Sequence, residues 1–262
     1  MRTMSLDQPE PVVKHHSVTR DGFLGDRLKL LQPRHGFRAG LDSVLLGAAV
    51  RAGTGRLLEL GAGVGTASLV ALELGRADSA VLAEREPQAL DLARANVEDN
   101  GFSGRAAVVA ADVEAAAGMR RAAGLADNAF GAVIANPPYF NLGTLAPDEG
   151  RAAARHMPAD RLAHWARVAA AAAAAGGDVI FIYPADRLVA LLAAMEPRFG
   201  ALTVLPLSPR AGEAASRVLV RGVKGSRAPL TLLASRALHG GDGRAFAPEF
   251  DAIFRGNAAL DW

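Results

Sequence analysis

The chain has 262 residues, of which 50% are hydrophobic and 21% are charged, and 29 Lys and Arg against 27 Asp and Glu leave a formal charge of +2. This composition is typical of a globular protein with one large domain, and the count of zero Cys excludes disulfides, thiolate metal sites and a cysteine nucleophile. Neither a signal peptide nor a membrane-spanning run is recognisable, so we expect a cytoplasmic protein with no membrane partner.

The first fifty residues predict a tail, a hairpin and a helix. Residues 1–20 are polar and lack periodicity, which indicates a disordered tail. Gly25 and Asp26 form a turn signal between strand-forming residues, which predicts a small hairpin over 23–31. Apolar residues at helical spacing then predict a helix over 42–50, which Asp42 or Ser43 could cap.

The rest of the chain alternates short apolar runs with longer amphipathic segments. Strands are predicted at 56–60, 80–83, 107–110, 129–135, 178–183, 201–207 and 217–221, and helices at 66–74, 87–100, 159–175 and 185–195. Strands separated by helix-length crossovers form βαβ units. The sequence therefore predicts a single α/β domain over 21–256, with a mostly parallel sheet and helices on both faces, followed by a C-terminal end at 257–262.

Glycines and acids follow three successive strands of the predicted sheet. The segment ELGAGVG at 59–65 ends one strand and opens a helix, so its glycines permit a tight turn and close approach of a ligand to backbone N–H groups. Glu84 ends the next strand, where a carboxylate can accept from a ribose diol, and Asp112 ends the third, where it could accept from an adenine amine. Each feature alone could be a packing turn or a solvated carboxylate. Together they predict a nucleotide-like ligand at this edge.

The segment NPPYF at 136–140 follows the strand at 129–135. Two consecutive prolines hold the chain extended and donate no backbone hydrogen bonds, so carbonyl oxygens are left free to accept. Asn136 adds a side-chain carbonyl and Tyr139 an aromatic face. A planar amine could donate to Asn136 and to the carbonyl of Pro137 while its ring stacks on Tyr139. The alternative is a proline turn that only closes a strand.

The order of these motifs resembles the class I S-adenosylmethionine-dependent methyltransferases, and NPPY is the mark of those that methylate planar amino nitrogens. The segments at 37–46, 140–143, 209–212, 216–220 and 225–229 resemble the family of tRNA(Val) (adenine-N6)-methyltransferases. The resemblance runs from about residue 21 to 256. It implies a Rossmann-like sheet of seven strands with the last antiparallel, S-adenosyl-L-methionine as methyl donor, no metal, and an adenosine in tRNA or another structured RNA as acceptor, in the family the one immediately 3′ of the anticodon.

On this basis each site residue is given an expected role. The residues expected at the reacting amine are Asn136, Pro137 and Tyr139. Those expected at the cofactor are Asp42, Glu59, Gly61, Gly63, Gly65, Glu84, Asp112 and Asn136. Those expected at the substrate RNA are Pro138, Tyr139, Phe140, Arg38, Arg155 and Arg210. The helix of Asp42 could instead only pack, the basic residues could be solvated, and His164 and Trp165 are interpreted as surface and core residues without a catalytic role.

Three alternatives remain beside this hypothesis. NPPY enzymes that methylate a glutamine of release factors use the same amide-gripping geometry, but they carry an N-terminal helical domain, and no bundle-like pattern precedes Glu59. An adenine of ribosomal RNA would need the same basic residues as a tRNA. A nucleotide-binding module that has lost catalysis would show damage to NPPY or to the glycine segment, and both are intact.

Overall fold

The computed structural model describes residues 18–36, 38–138, 159–241 and 243–262. They begin with an antiparallel hairpin of β1 (Val18–Phe23) and β2 (Leu28–Pro33). Leu24, Gly25 and Asp26 all have positive φ angles, which reverse the chain between the strands. This confirms the predicted hairpin, although β1 starts inside the predicted 1–20 tail; residues 1–17 of that tail lie outside the described residues.

A central sheet carries the domain. Its long strands are β3 (Thr54–Leu60), β4 (Ala77–Glu84), β5 (Ala106–Ala110), β6 (Phe130–Ala135), β7 (Ala173–Pro184), β8 (Phe199–Ser208) and β9 (Arg217–Lys224). They lie in the order β5-β4-β3-β6-β7-β9-β8, and β9 runs antiparallel to both of its neighbours. The seven-stranded Rossmann-like sheet with the last strand antiparallel is thus confirmed. Two short strands, β10 (Thr231–Leu232) and β11 (Arg236–Ala237), extend it beside β8.

Helices cover both faces of this sheet. They are α1 (Leu41–Ala48), α2 (Thr66–Glu73), α3 (Pro87–Asp99), α4 (Ala117–Ala122), α5 (Ala159–Ala172), α6 (Leu188–Met195) and α7 (Pro248–Phe254). One core joins α1, α2, α7 and the hairpin to the sheet, and a second core joins α5 and α6 to the other face. Because both faces are covered, the central parallel strands consist of nearly continuous runs of apolar residues.

The helix predicted over 159–175 ends earlier than expected. It stops at Ala172, and Ala173 already pairs with Phe130 as the first residue of β7. The carbonyls of Ala171 and Ala172 accept from the backbone N–H groups of Asn128 and Ala129. Alanine favours a helix intrinsically, but here pairing with the neighbouring strand takes over. The short helices α4 and α7 were not predicted.

The residues at 257–262 pack against α1. The backbone N–H of Leu260 donates to the carbonyl of Ala48, and the indole N–H of Trp262 donates to the carbonyl of Ala49 over 3.2 Å. Leu260 is fully buried in the core shared with α1, and Arg221 lies over the ring of Trp262. These contacts close one end of that helix.

An ion pair with a buried carboxylate lies at the edge of the sheet away from the strand ends that carry the motifs. Asp178 of β7 accepts two hydrogen bonds of 2.8 Å from Arg51, which precedes β3. The Asp178 side chain is 3% exposed, whereas that of Arg51 is 57% exposed. We expect Arg51→Ala to lower the free energy of unfolding by about 1–3 kcal/mol, because it strips a buried carboxylate of two donors.

Urea denaturation tests this expectation, with Arg94→Ala as the matched control. Arg94 pairs with Asp91, and both side chains are more than half exposed. Its loss should change the free energy of unfolding by less than about 0.5 kcal/mol. Equal losses in the two variants would contradict the importance assigned to the pair of Arg51 with Asp178.

Candidate active site

A pocket of about 420 Å³ opens where β3, β4, β5 and β6 end. This volume is within the range of about 300–1,000 Å³ found for small-molecule sites. Its walls include the glycine turn, the strand-end acids, the start of the NPPY segment and one side of α5. Residues that line it include Gly61, Gly63, Glu84, Arg85, Asp112, Asn136, Pro138, Arg161 and Trp165. Within the described ranges no group of three or more His, Asp or Glu side chains could hold a metal ion.

The glycine turn joins β3 to α2 through left-handed backbone angles. Gly61, Gly63 and Gly65 have φ values of 66°, 56° and 89°. Gly65 precedes the first turn of α2, and a Cβ there would lie 2.6 Å from a methyl carbon of Leu82. Both the conformation and the packing therefore require glycine at 65. Gly61 and Gly63 line the pocket, as expected of the motif.

Glu84 is the most firmly held side chain of the pocket. One carboxylate oxygen accepts from the N–H of Gly63 over 2.7 Å, and the other accepts from the N–H groups of Arg85 and Glu86 over 2.7 and 2.9 Å. Glu84 is 8% exposed and still lines the pocket. A carboxylate can accept about four hydrogen bonds, so this one can also accept from a hydroxyl of a ligand.

Asp112 lies on the far side of the pocket from the glycine turn. Its carboxylate accepts from the N–H of Glu114 over 2.8 Å, and an amino group of Arg85 lies 3.6 Å from its other oxygen. The Asp112 side chain is 41% exposed. It is therefore accessible to the amine of a bound purine.

Asn136 follows β6 directly and carries an unusual side chain. Its Oδ1 is buried and accepts no hydrogen bond from any residue that the structure describes. A buried amide oxygen without a donor costs about 1–3 kcal/mol, so its position is favourable for a ligand N–H. Pro137 is buried and Pro138 is exposed. The predicted residues that lie outside the described part are Tyr139, Phe140 and Arg155.

Glu59 is buried beneath the turn and is not among the described residues that line the pocket. Its carboxylate accepts from both the N–H and the hydroxyl of Ser68, over 2.9 and 2.6 Å. Burial raises the pKa of Glu59 to about 7, the bonds to Ser68 lower it in part, and the charge of Glu84 raises it further. Glu59 thus fastens the start of α2 to β3 and acts on the pocket through the turn.

Three further residues of the predicted site lie away from the pocket lining. Asp42 accepts a 2.8 Å hydrogen bond from Arg217. Arg38 donates to the carbonyl of Pro33 over 2.7 Å and pairs with Asp21. Arg210 pairs loosely with Glu213 and donates to the carbonyl of Gly243, so Asp42, Arg38 and Arg210 each have a protein partner in this structure.

Two residues of α5 line the pocket although the sequence pointed to neither. Arg161 pairs with Glu114, and Trp165 is 6% exposed. The interpretation of Trp165 as only a core residue is incomplete. Its side chain packs in the core and also lines the pocket. One indication in the sequence that Trp165 could lie at the pocket was its location in the helix that follows the NPPY segment.

Comparison with known proteins places this chain in a family. Residues 41–151 match the model of the methyltransferase small domain. A tRNA1(Val) (adenine(37)-N6)-methyltransferase of Pasteurella multocida (strain Pm70) is 30% identical over 170 residues, which span 64% of this chain and 69% of the relative. A protein of the same description from Escherichia coli O157:H7 (strain EC4115 / EHEC) is 29% identical over 227 residues, which span 78% and 89%.

A solved structure is also similar over almost its whole length. The crystal structure of a predicted O-methyltransferase, protein Atu636 from Agrobacterium tumefaciens, is 36% identical to this chain with a TM-score of 0.71. The likeness covers 84% of this chain and 99% of that one. The sheet and its covering helices therefore belong to a methyltransferase architecture.

Glu59 predicts how stability depends on pH. Its folded pKa of about 7 lies above the ordinary value of 4.5. Between these pH values the folded state keeps a proton that the unfolded state releases, so the free energy of unfolding should fall by roughly 3 kcal/mol as the pH rises through this window. Glu59→Gln keeps an acceptor for Ser68 and should remove this decline. Urea denaturation from pH 4.5 to 8, with the exposed Glu98→Gln as control, would contradict the assignment if all three proteins had the same pH slope.

Proposed function

Because the chain belongs to the family of the tRNA1(Val) (adenine(37)-N6)-methyltransferases, we propose that it methylates N6 of an adenosine in structured RNA, with the anticodon-loop adenosine of a valine tRNA as the first candidate. The observation that carries this proposal is the buried, unpartnered Oδ1 of Asn136 in the pocket. An amide oxygen there can accept a hydrogen bond from an amino group, which is what adenine N6 presents. We place the reaction in the cytoplasm, where tRNA is modified.

The residues present fit S-adenosylmethionine as the methyl donor. Glu84 is held by three backbone N–H groups and has acceptor capacity left for a ribose diol. Asp112 is accessible to the adenine amine, and the glycine turn brings backbone close to the same pocket. When bound, the cofactor supplies an electrophilic methyl group on a sulfonium sulfur.

Asn136 and Pro137 act on the nucleophile in this proposal. The adenine amino nitrogen is weakly nucleophilic because its lone pair is delocalised into the ring. Hydrogen bonds from its two N–H groups to the Asn136 Oδ1 and the Pro137 carbonyl would favour a pyramidal nitrogen with an available lone pair. With the methyl donor bound, this nitrogen would take the methyl group, S-adenosylhomocysteine would be the leaving group, and the nitrogen would then lose one proton to water.

Recognition of the RNA is assigned to aromatic and basic residues. We propose that Tyr139 and Phe140 stack on the target base with Pro138 beside them, because a base that leaves its stack needs an apolar platform. Arg38, Arg155 and Arg210 are assigned to phosphates, for which the guanidinium fork is suited. The first and last of these would exchange their present carboxylate partners for phosphate oxygens.

Asn136→Ala should abolish the methyl transfer. The loss of an acceptor at the reacting nitrogen is expected to lower kcat by about 100-fold or more. The assay adds labelled S-adenosylmethionine to an extract, containing RNA and protein, of cells lacking this gene. The RNA is digested with nuclease and analysed by nucleoside mass spectrometry, and the protein fraction is analysed for label. Asn257→Ala, an exposed change remote from the pocket, is the control and should retain full activity.

The label identifies the acceptor. N6-methyladenosine in the tRNA fraction, lost in the Asn136 variant, supports the proposal. Label in ribosomal RNA would make ribosomal RNA, rather than tRNA, the substrate. Label in a protein glutamine, or on a hydroxyl oxygen as the description of the Agrobacterium protein suggests for that protein, would overturn adenine methylation.

Glu84→Gln should weaken cofactor binding in the absence of RNA. The amide replaces one carboxylate oxygen by a donor that faces backbone N–H groups. We expect the Kd of S-adenosylhomocysteine to rise about 10- to 100-fold, as for loss of a charged hydrogen bond. Isothermal titration with the exposed Glu196→Gln as control measures it, and an unchanged Kd in Glu84→Gln would remove Glu84 from the cofactor site.

A further inference from the structure

Trp165 is held at the pocket by its neighbours on α5. Arg161 Nε donates to Glu114 over 2.6 Å, one turn before Trp165. Arg167 lies 2.9 Å from Nδ1 of His164, and because a guanidinium only donates, that nitrogen accepts. The Nε2 of His164 therefore carries the hydrogen and donates over 3.0 Å to the carbonyl of Val113. The helix is thus fastened to the segment that directly follows Asp112.

The indole of Trp165 also contacts the glycine turn. A Cβ added to Gly61 would lie 2.8 Å from Cη2 of the indole and 3.4 Å from Cζ3. The benzene edge of the ring therefore supports the backbone at the first glycine of the motif. The helix of Trp165 thus bridges two walls of the pocket: Trp165 contacts the turn, and Arg161 and His164 bind the segment that follows Asp112.

The indole N–H has no acceptor in the part of the chain that the structure describes. Its Nε1 is buried, and the whole residue is 6% exposed. A tryptophan N–H can only donate, and buried ones usually find a partner. Since this residue lines the pocket, an acceptor on a bound molecule would satisfy it.

We propose that Trp165 is a cofactor-binding residue whose indole N–H donates to a neutral acceptor, a ring nitrogen or a ribose oxygen, of the adenosine part of the cofactor. The adenosine is chosen because α5 is attached to the segment that follows Asp112, and because Asp112 and Glu84, which line the same pocket as Trp165, are the acceptors suited to a nucleoside. The inference rests on the methyl donor of the proposed function and is independent of the RNA.

The test measures binding of two ligands in the absence of RNA. S-Adenosylhomocysteine contains both the nucleoside and the amino acid, whereas 5′-methylthioadenosine lacks the amino acid. Isothermal titration of Trp165→Phe should show a Kd about 5- to 10-fold higher for both ligands, as for the loss of one neutral hydrogen bond. Trp262→Phe is the matched control, because Trp262 donates to Ala49 away from the pocket.

A second replacement keeps the shape of the ring. The chain has two Trp residues, so in Trp262→Phe the biosynthetic replacement of tryptophan by benzothienylalanine changes Trp165 alone and substitutes sulfur for the N–H. The same variant with ordinary tryptophan makes Trp165 the single emitting indole, whose fluorescence should shift when 5′-methylthioadenosine is added.

The outcomes separate this inference from the proposed function. An equal loss of affinity for the two ligands, both in Trp165→Phe and with benzothienylalanine at position 165, supports this inference. A loss for S-adenosylhomocysteine alone would move the acceptor to the amino acid and overturn the assignment to adenosine. Unchanged affinity for both ligands would overturn any contact. If the cofactor binds but adenine methylation is absent, the RNA assignment fails while this one stands.

Discussion

The attachment of α2 to β3 by the buried carboxylate of Glu59 is the contact on which the rest of the site depends. Through Ser68 it holds the first turn of the helix against the strand, and the glycine turn lies between the two. The N–H of Gly63 can then point at Glu84, and Gly61 can rest against the indole of Trp165. Both contacts use backbone atoms of the turn, so both depend on where the helix holds it.

Glu59 and Glu84 differ in what they do because their surroundings differ. Glu59 is surrounded by apolar core and has its pKa raised mainly by burial. Glu84 lies one strand away, where three backbone N–H groups compensate its charge and one face remains open to the pocket. The same type of side chain is thus a structural support in one place and, in our proposal, a ligand acceptor in the other. Sequence position alone does not distinguish them.

The sequence predicted those features that depend on local patterns. Alternating apolar runs identified the parallel sheet, and Gly25 with Asp26 identified the hairpin, because turn chemistry and strand periodicity are local. The strand-end positions of Glu84 and Asp112 followed from topology. The pairing of Asp42 with Arg217 and the contact of Trp165 with the glycine turn could not be predicted in this way, because each joins segments far apart in the chain. The early end of α5 had the same origin, a contact with β6.

The contacts between 257–262 and α1 bear on how the chain folds. The indole of Trp262 and its acceptor Ala49 are separated by 213 positions. The helix α1 therefore gains these hydrogen bonds only after a very long stretch of chain has been closed into a loop. Such long-range closure slows folding, because loop entropy is lost before the contact forms.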